Sequence, residues 1–146
     1  MILHKSKHLT FFTPENFKDT GAHFFDTGIS AGFPSPAEDF KQQRLSLDKE
    51  LIKNKEATFF ARVSGQSMIG AGLDDNDLLV IDRSLDPAHN KIAVCFLDGE
   101  FTVKRLKIEN EELWLQPENP SYKPIQVTEE NNFVIWGIVT NVIKRV

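Results

Sequence analysis

The sequence predicts a mainly β protein: a curved, barrel-like and mostly antiparallel sheet with one short helix and an extended N-terminal arm. From residue 58 onward, short segments rich in Val, Ile and Phe alternate with turn residues, as expected for a many-stranded antiparallel sheet. Residues 1–40 contain Pro and Gly at short intervals and keep no helical or strand period for long. One helix start signal lies between these two regions.

The N-terminal arm is the least regular part of the sequence. Residues 27–36 contain two glycines and two prolines, and a residue before proline is restricted to extended geometry. The hydrophobic residues upstream fall mainly in isolated Phe pairs rather than in a periodic pattern. We therefore expect an exposed or loosely attached extended segment.

The helix signal begins at Ser46, whose side chain can cap the run 47–54. Asp48 would lie in the first turn, near the positive end of the helix dipole. Leu47 and Leu51 are four residues apart, beside Ile52, so we expect the helix to present one apolar stripe.

Seven strands are predicted after the helix, each bounded by turn residues. The clearest connection is Asp98-Gly99, a pair suited to a two-residue hairpin turn, and a second turn is expected at residues 110–112. The predicted strands are 58–63, 77–82, 91–98, 100–108, 112–116, 124–127 and 133–143.

Composition excludes several classes of protein. The 146 residues suit one domain, and 17 Lys and Arg against 21 Asp and Glu give a net charge of −4, which argues against direct DNA binding. The single Cys95 excludes an internal disulfide, and its apolar surroundings predict a buried structural thiol. Because the N-terminus lacks a signal-peptide core and no apolar run could span a bilayer, we expect a soluble, cytoplasmic protein without a membrane partner.

Ser67 is the first candidate for chemistry. A predicted strand ends at Val63, Gly65 permits a sharp turn, and Ser67 would follow at the exposed start of a short helical turn. Unsatisfied backbone N–H groups at such a position can bind a developing oxyanion. A serine in a Gly-containing loop is ordinarily only a turn residue, so this pattern alone leaves both interpretations open.

A nucleophilic serine needs a base, and no histidine has a convincing acidic neighbour in the sequence. Lysine is the alternative, but holding it neutral at pH 7 costs roughly 4.6 kcal/mol unless burial lowers its pKa. Lys104 alternates onto the same strand face as Thr102 and Leu106, which makes burial plausible. The alternative is a solvated strand lysine.

Two motifs together resemble a known family. Ser64-Gly65-Gln66-Ser67-Met68 is followed 37 positions later by the Thr102-Val103-Lys104-Arg105-Leu106 segment, and this arrangement resembles the Ser–Lys self-cleaving peptidases related to the LexA repressor. The arm motif Ala31-Gly32-Phe33-Pro34-Ser35-Pro36-Ala37-Glu38-Asp39-Phe40 resembles the UmuD type within that LexA/UmuD family. The resemblance covers about residues 30–146 and implies the LexA/signal-peptidase-like β-domain.

The resemblance also implies roles for individual residues. Ser67 would be the nucleophile, Lys104 the general base, and the backbone N–H groups of Gln66 and Ser67 the oxyanion donors. The scissile bond would be Ala31–Gly32, dividing the chain into a regulatory arm (1–31) and a peptidase β-domain (32–146). Ala31 departs from the UmuD pattern, which has Cys there, and gives the Ala-Gly pair typical of LexA-type repressors.

The implied function is self-cleavage in the SOS response to DNA damage. RecA filaments on single-stranded DNA would stimulate the reaction, and the processed homodimer would assist a UmuC-type Y-family polymerase in error-prone translesion synthesis. The resemblance implies no cofactor, and the sequence shows no convincing metal site; sequence-specific DNA binding is not expected.

Three other functions remain to be distinguished. A LexA-like or UmuD-like transcriptional regulator would share the peptidase domain, whereas a signal peptidase would need a membrane anchor. A non-catalytic β-scaffold would leave Ser67 and Lys104 incidental. The sequence does not distinguish cleavage within one subunit from cleavage of a dimer partner, nor does it identify the polymerase subunit.

Overall fold

The computed structural model describes residues 2–5, 9–14, 22–25 and 42–146. The chain divides into two compact units, Met1–Glu15 with Asn54–Val146, and Asn16–Lys53. In chain order the elements are β1 (Ile2–Lys5), β2 (Leu9–Phe12), β3 (Ala22–Phe25), β4 (Gln42–Leu45), α1 (Leu47–Leu51), β5 (Thr58–Val63), β6 (Leu78–Asp82), β7 (Ile92–Leu97), β8 (Glu100–Glu109), β9 (Glu112–Gln116), β10 (Ile125–Val127) and β11 (Phe133–Ile143).

The larger unit is one nine-stranded sheet with the strand order β1-β2-β5-β6-β11-β7-β8-β9-β10. Every neighbouring pair in it is antiparallel, and the sheet curls into a half-barrel. The predicted fold class is therefore confirmed.

The seven strands predicted from the hydrophobic pattern appear as β5 to β11, close to their expected bounds. At the hairpin between β7 and β8, Asp98 and Gly99 have φ values of 47° and 91°. Two positive φ values match the two-residue turn that suits the right-handed twist of paired strands. Asn110 and Glu111 form the second predicted turn, also with positive φ.

The N-terminal region contains strands that the sequence pattern did not predict. β1 and β2 join the edge of the large sheet, and β2 pairs with β5 from Leu9 opposite Val63 to Phe12 opposite Phe60. β3 and β4 pair with each other in the smaller unit. Each of these strands has only four residues, too few for a period of two to stand out in the sequence.

The core of the large unit consists of two clusters of buried side chains. β7 contributes to both because successive strand residues point to opposite faces: Val94 joins the first cluster, whereas Ala93 and Cys95 join the second. The first cluster contains Leu9, Phe11, Ala61, Val63, Met68, Leu73, Leu79, Ile81, Val94 and Val103. The second contains Ala93, Cys95, Leu106, Leu115 and Ile138.

Helix α1 begins where the sequence predicts and is shorter than predicted. The Ser46 hydroxyl accepts a hydrogen bond from the N–H of Lys49 at 3.4 Å, which is the expected capping contact. The helix ends at Leu51, and none of its residues is buried. Leu47 is 63% exposed, whereas Leu51 and Ile52 are half-buried, so the predicted apolar stripe is only partly covered.

Truncation of a core leucine should lower the free energy of unfolding of the sheet. Leu115→Ala removes a side chain that is 0% exposed, and we expect a loss of about 2–5 kcal/mol. Leu85, with 45% of its surface exposed, is the matched control, and Leu85→Ala should cost less than about 0.5 kcal/mol. Urea unfolding followed by tryptophan fluorescence measures both variants, and equal losses would contradict this core assignment.

Candidate active site

Ser67 lies in a loop that leaves the end of β5. The strand ends at Val63, and Gly65 takes a φ of 113°, a left-handed conformation that residues with a side chain rarely adopt. Met68 is 3% exposed and anchors the loop in the core. Ser67 lies between the glycine and this anchor, half-buried, and a short 3-10 helix (Ile69–Ala71) follows. The predicted turn at Gly65 is confirmed.

The turn before β6 supports the first half of this loop. The N–H of Asn76 donates to the carbonyl of Val63 at 2.8 Å, and the N–H of Val63 donates to the carbonyl of Asp77 at 2.9 Å. The N–H of Gly65 donates to Oδ1 of Asp75 at 3.1 Å. These bonds fix the point at which the chain leaves β5 for Ser67.

Asp77 links this turn to the end of β11. Its carboxylate accepts hydrogen bonds from Lys144 Nζ at 2.5 Å and from the N–H of Asp74 at 2.8 Å. Burial acts to raise the pKa of Asp77, but these two hydrogen bonds and the positive charge of Lys144 together hold the pKa below its ordinary value. Asp77 therefore stays charged and joins the turn before β6 to Lys144, the residue that follows β11.

Residues after β9 hold the second half of the loop. The N–H of Glu118 donates to the carbonyl of Ser67 at 2.9 Å, and the N–H of Gly70 donates to the carbonyl of Glu118 at 2.7 Å. The Asn119 side chain donates through Nδ2 to the carbonyl of Gln66 at 2.8 Å. A Cβ atom at Gly70 would overlap the Glu118 carbonyl oxygen, so this close approach requires glycine.

Glu118 is anchored in turn to β8, the strand that carries Lys104. Arg105 Nε donates to Glu118 Oε1 in an ion pair whose side chains are 26% and 30% exposed. The Arg105 guanidinium also donates through Nη1 to the carbonyl of Asn90 at 2.6 Å. Because Arg105 directly follows Lys104, one strand positions the lysine itself and, through Glu118, the loop of Ser67.

Lys104 is buried with its amine directed at Ser67. The residue is 7% exposed, and Ala93 faces it across the pairing of β7 with β8. Its Nζ lies 3.1 Å from Ser67 Oγ, 2.6 Å from Thr102 Oγ1 and 3.1 Å from the Val103 carbonyl oxygen. The structure therefore brings together two candidates that are 37 positions apart in the sequence.

Burial lowers the pKa of Lys104, because desolvation disfavours the charged ammonium. An ionised Cys95 would act in the opposite direction and raise the pKa of Lys104. Burial raises the pKa of that thiol to about 12, however, so Cys95 is uncharged near neutral pH. The predicted buried thiol at Cys95 is confirmed, with the residue 0% exposed.

A neutral lysine amine has two N–H groups and one lone pair. Thr102 Oγ1 and the Val103 carbonyl lie where they can accept the two N–H groups. The lone pair is then left for the hydroxyl proton of Ser67. This arrangement can take a proton from the serine without leaving either amine N–H unsatisfied.

A small cavity of about 100 Å³ opens at the serine and the lysine. Its wall is largely apolar, so it suits a small uncharged side chain of a peptide. The cavity is lined by Leu9, Val63, Ser64, Gly65, Gln66, Ser67, Met68, Leu73, Thr102, Val103, Lys104 and Tyr122.

The backbone N–H groups of Gln66 and Ser67 were predicted to bind an oxyanion. Neither group donates a hydrogen bond to any other described residue. Both residues line the cavity, so an acceptor bound there could receive hydrogen bonds from their N–H groups.

Other candidates from the sequence lie elsewhere. Ala31 and Gly32 are outside the described residues. His89 Nδ1 accepts the N–H of Ile108 at 3.0 Å and does not line the cavity. Over the ranges that the structure describes, no group of three or more His, Cys, Asp or Glu could hold a metal ion, and no helix is long and apolar enough to cross a bilayer.

Four residues of the site have roles that their sequence pattern did not predict. Alternation placed Thr102 on the face of Lys104 but gave no reason to expect its hydrogen bond to the amine. Arg105 has the ordinary appearance of an exposed strand cation. Glu118 and Asn119 act on the loop largely through backbone groups about 50 residues away, and such contacts leave no signal in a single sequence.

Comparison with known proteins agrees with these motifs. Protein ImpA of Salmonella typhimurium is 44% identical over 127 residues, covering 83% of this chain and 82% of that protein. Protein MucA of Escherichia coli is 42% identical over 119 residues, 81% of each chain. The LexA repressor of Acidithiobacillus ferrooxidans is 36% identical over 119 residues, 80% of this chain and 58% of that protein.

The family suggested by the serine and lysine motifs is confirmed. The Peptidase S24-like family matches residues 24–140, a range that includes both Ser67 and Lys104. Since this range is most of the sequence, the chain belongs to the Peptidase S24-like family.

Proposed function

We propose that this chain is a self-cleaving serine endopeptidase of the SOS response, with Ser67 as nucleophile and Lys104 as general base. The observation that carries the proposal is the 3.1 Å separation of Lys104 Nζ and Ser67 Oγ in a site that lowers the lysine pKa by burial. Serine–lysine pairs are an established variant of serine hydrolase chemistry. Membership of a peptidase family supports the same reaction class.

The reaction begins when neutral Lys104 takes the hydroxyl proton of Ser67, whose Oγ attacks the carbonyl carbon of Ala31. The N–H groups of Gln66 and Ser67 stabilise the resulting oxyanion. Collapse of this intermediate breaks the bond to Gly32, and Lys104 returns the proton to the departing amine. Lys104 then takes a proton from a water molecule, whose oxygen attacks the acyl ester. As the bond to Ser67 Oγ breaks, Lys104 returns that proton to Oγ, and the new carboxyl group at Ala31 ionises to solvent.

Substrate and catalyst on one chain give the reaction an intramolecular advantage. An arm that docks at Ser67 needs no second encounter, so most of the entropic cost of bringing the groups together is already met. The arm would comprise residues 1–31 and the peptidase part residues 32–146. The small apolar cavity beside Ser67 suits the methyl side chain of Ala31.

A regulator would change the fraction of molecules in which the arm is docked at Ser67, and it would contribute no catalytic group. RecA filaments on single-stranded DNA would favour the docked arm, and a tenfold shift in population requires about 1.4 kcal/mol of differential binding. The processed form would act in the cytoplasm as a homodimer and assist a UmuC-type translesion polymerase. Similarity to ImpA and MucA over most of both chains supports this UmuD-like assignment.

A transcriptional regulator is the second candidate. Identity of 36% with a LexA repressor over 80% of this chain favours it, but only 58% of that repressor is matched. The net charge of −4 argues against direct DNA binding and favours a route to DNA through protein partners. Salt-dependent, sequence-specific operator binding by the purified chain would favour the regulator over the polymerase subunit.

Removal of either reacting group should abolish self-cleavage. The wild-type protein with RecA, ATP and single-stranded DNA should give fragments of 31 and 115 residues. Ser67→Ala should stop the reaction, and Lys104→Met should slow it by at least about 100-fold because the general base is lost. Lys107→Met, three positions along the same strand, is the matched control and should cleave normally. Mass spectrometry of the fragments decides, and cleavage at another bond would contradict the assignment.

Self-cleavage should accelerate as pH rises, because only the neutral Lys104 amine accepts a proton. Burial lowers the pKa of Lys104 from 10.5, so the rate should rise about tenfold per pH unit and level off below pH 10.5. The free energy of unfolding should change in the same direction. Because the folded-state pKa of Lys104 lies below 10.5, stability is greatest above pH 10.5 and is lost as pH falls from there to the folded-state pKa. A rate that falls with rising pH over this range would contradict the lysine base.

Gly70→Ala should slow self-cleavage because it moves Ser67 away from its position beside Lys104. The added Cβ would displace the Glu118 carbonyl and, with it, the bond between the Glu118 N–H and the Ser67 carbonyl. A misplacement of about 1 Å can cost on the order of 100-fold in rate. Gly72→Ala is the control, since a Cβ there meets no atom within 4 Å and carries only the strain of a positive φ. Equal self-cleavage rates for Gly70→Ala and Gly72→Ala would show that Glu118 does not position Ser67.

A further inference from the structure

The edge of β5 that leads to Ser67 is occupied by a strand from the N-terminal region. β5 has β6 on one side and β2 on the other. β2 pairs antiparallel to β5, so that Leu9 faces Val63 and Phe12 faces Phe60. Val63 is the last residue of β5, so the Leu9 end of β2 is the end nearest Ser67.

β2 also fills the apolar surface beside this edge. Leu9 is 2% exposed and lines the same cavity as Ser67 and Lys104. Phe11 is 2% exposed, and its ring centroid lies 4.9 Å from Phe101. An extended peptide that pairs with β5 to reach the serine therefore has to take the place of Leu9 and Phe11.

The segment before the proposed scissile bond has the same side-chain alternation as β2. Leu9-Thr10-Phe11 is apolar, hydroxyl, apolar, and Ile29-Ser30-Ala31 repeats that order. In an extended chain alternate residues share a face, so Ile29 and Ala31 can enter the two apolar positions together. Both sequences can therefore present one apolar face and one hydroxyl to the same groove.

The position of the scissile bond sets the direction of the second strand. Ala31 has to lie at the end nearest Ser67, where β2 has Leu9, and Ile29 then takes the position of Phe11. This direction is opposite to that of β2 and therefore parallel to β5. The smaller Ala31 in place of Leu9 leaves space for the serine to approach the carbonyl.

We propose that the edge of β5, with the apolar positions now filled by Leu9 and Phe11, is the peptide-binding groove for residues 28–31, and that β2 is its resting occupant. The assignment of the ligand rests on the proposed cleavage at Ala31–Gly32. Leu9 and Phe11 bury more apolar surface than Ile29 and Ala31 can, so β2 prevails at rest. Docking of the arm requires β2 to leave, which provides the step that a regulator can shift.

A reversible cross-link tests the groove without relying on catalysis. Thr10 and Arg62 are paired across β2 and β5, so Thr10→Cys with Arg62→Cys can join the strands under oxidation and free them under reduction. The variant is made in the full chain with Ser67→Ala, and a fluorescent peptide of residues 26–35 is titrated. Arg62 loses its bond to the Asn76 carbonyl in both redox forms, so the comparison is matched.

The reduced protein should bind the peptide, and the oxidised protein should bind it at least about tenfold more weakly. A peptide with Ile29→Asp and Ala31→Asp should bind neither form, because carboxylates cannot enter the apolar positions. Equal affinity of both redox forms for the peptide, or no binding to the reduced form, would overturn the proposal that the β5 edge binds this peptide. Absence of self-cleavage in the wild type, with redox-dependent peptide binding intact, would instead refute the proposed cleavage.

A second measurement uses the self-cleavage rate. Phe11 and Phe96 both pack on Phe101, with ring centroids 4.9 Å and 5.3 Å away, but only Phe11 belongs to β2. Phe11→Ala should raise the rate about tenfold by weakening the resting strand, and Phe96→Ala should not. An unchanged or lower rate for folded Phe11→Ala would contradict competition by β2. If Phe11→Ala fails to fold, the cross-linked protein still decides.

Discussion

Desolvation of the Lys104 amine is the constraint on which the rest of the site depends. A lysine in water is almost entirely protonated and cannot act as a base, whereas burial at 7% exposure disfavours the charge. A buried amine must also find acceptors for its N–H groups, and Thr102 with the Val103 carbonyl supplies them. β8 provides the acceptors, because it holds Thr102 and the Val103 carbonyl beside Lys104, and Ala93 of β7 pairs with the lysine.

The same strand controls the position of the serine. Lys104 and Arg105 are consecutive on β8 and point to opposite faces. One reaches Ser67 directly, and the other holds Glu118, whose backbone bonds to the serine loop. β8 therefore supplies the lysine and supports the second half of the serine loop, while the turn before β6 supports the first half. This coupling explains how a serine in an irregular loop can face a lysine in a regular strand.

Much of the larger unit was predictable because residues close together in the sequence specify its strands and turns. The alternation from residue 58 onward and the Asp98-Gly99 turn specify strands without reference to distant residues. β2 was not predictable, since its four residues become a strand only by pairing with β5, about 50 positions away. Glu118 was missed for the same reason. Ser67 and Lys104 were paired from the sequence only because a family resemblance linked them, which periodicity could not do.

The location of β2 gives the proposed cleavage a thermodynamic direction. Leu9 and Phe11 precede the Ala31–Gly32 bond, yet they belong to the first core cluster of the peptidase part. Before cleavage their pairing with β5 is intramolecular and benefits from a high effective concentration. After cleavage the same pairing is bimolecular, so dilution favours release of the fragment. Release would leave the β5 edge and its apolar positions open, and one broken peptide bond would thereby create a new surface at the site that cut it.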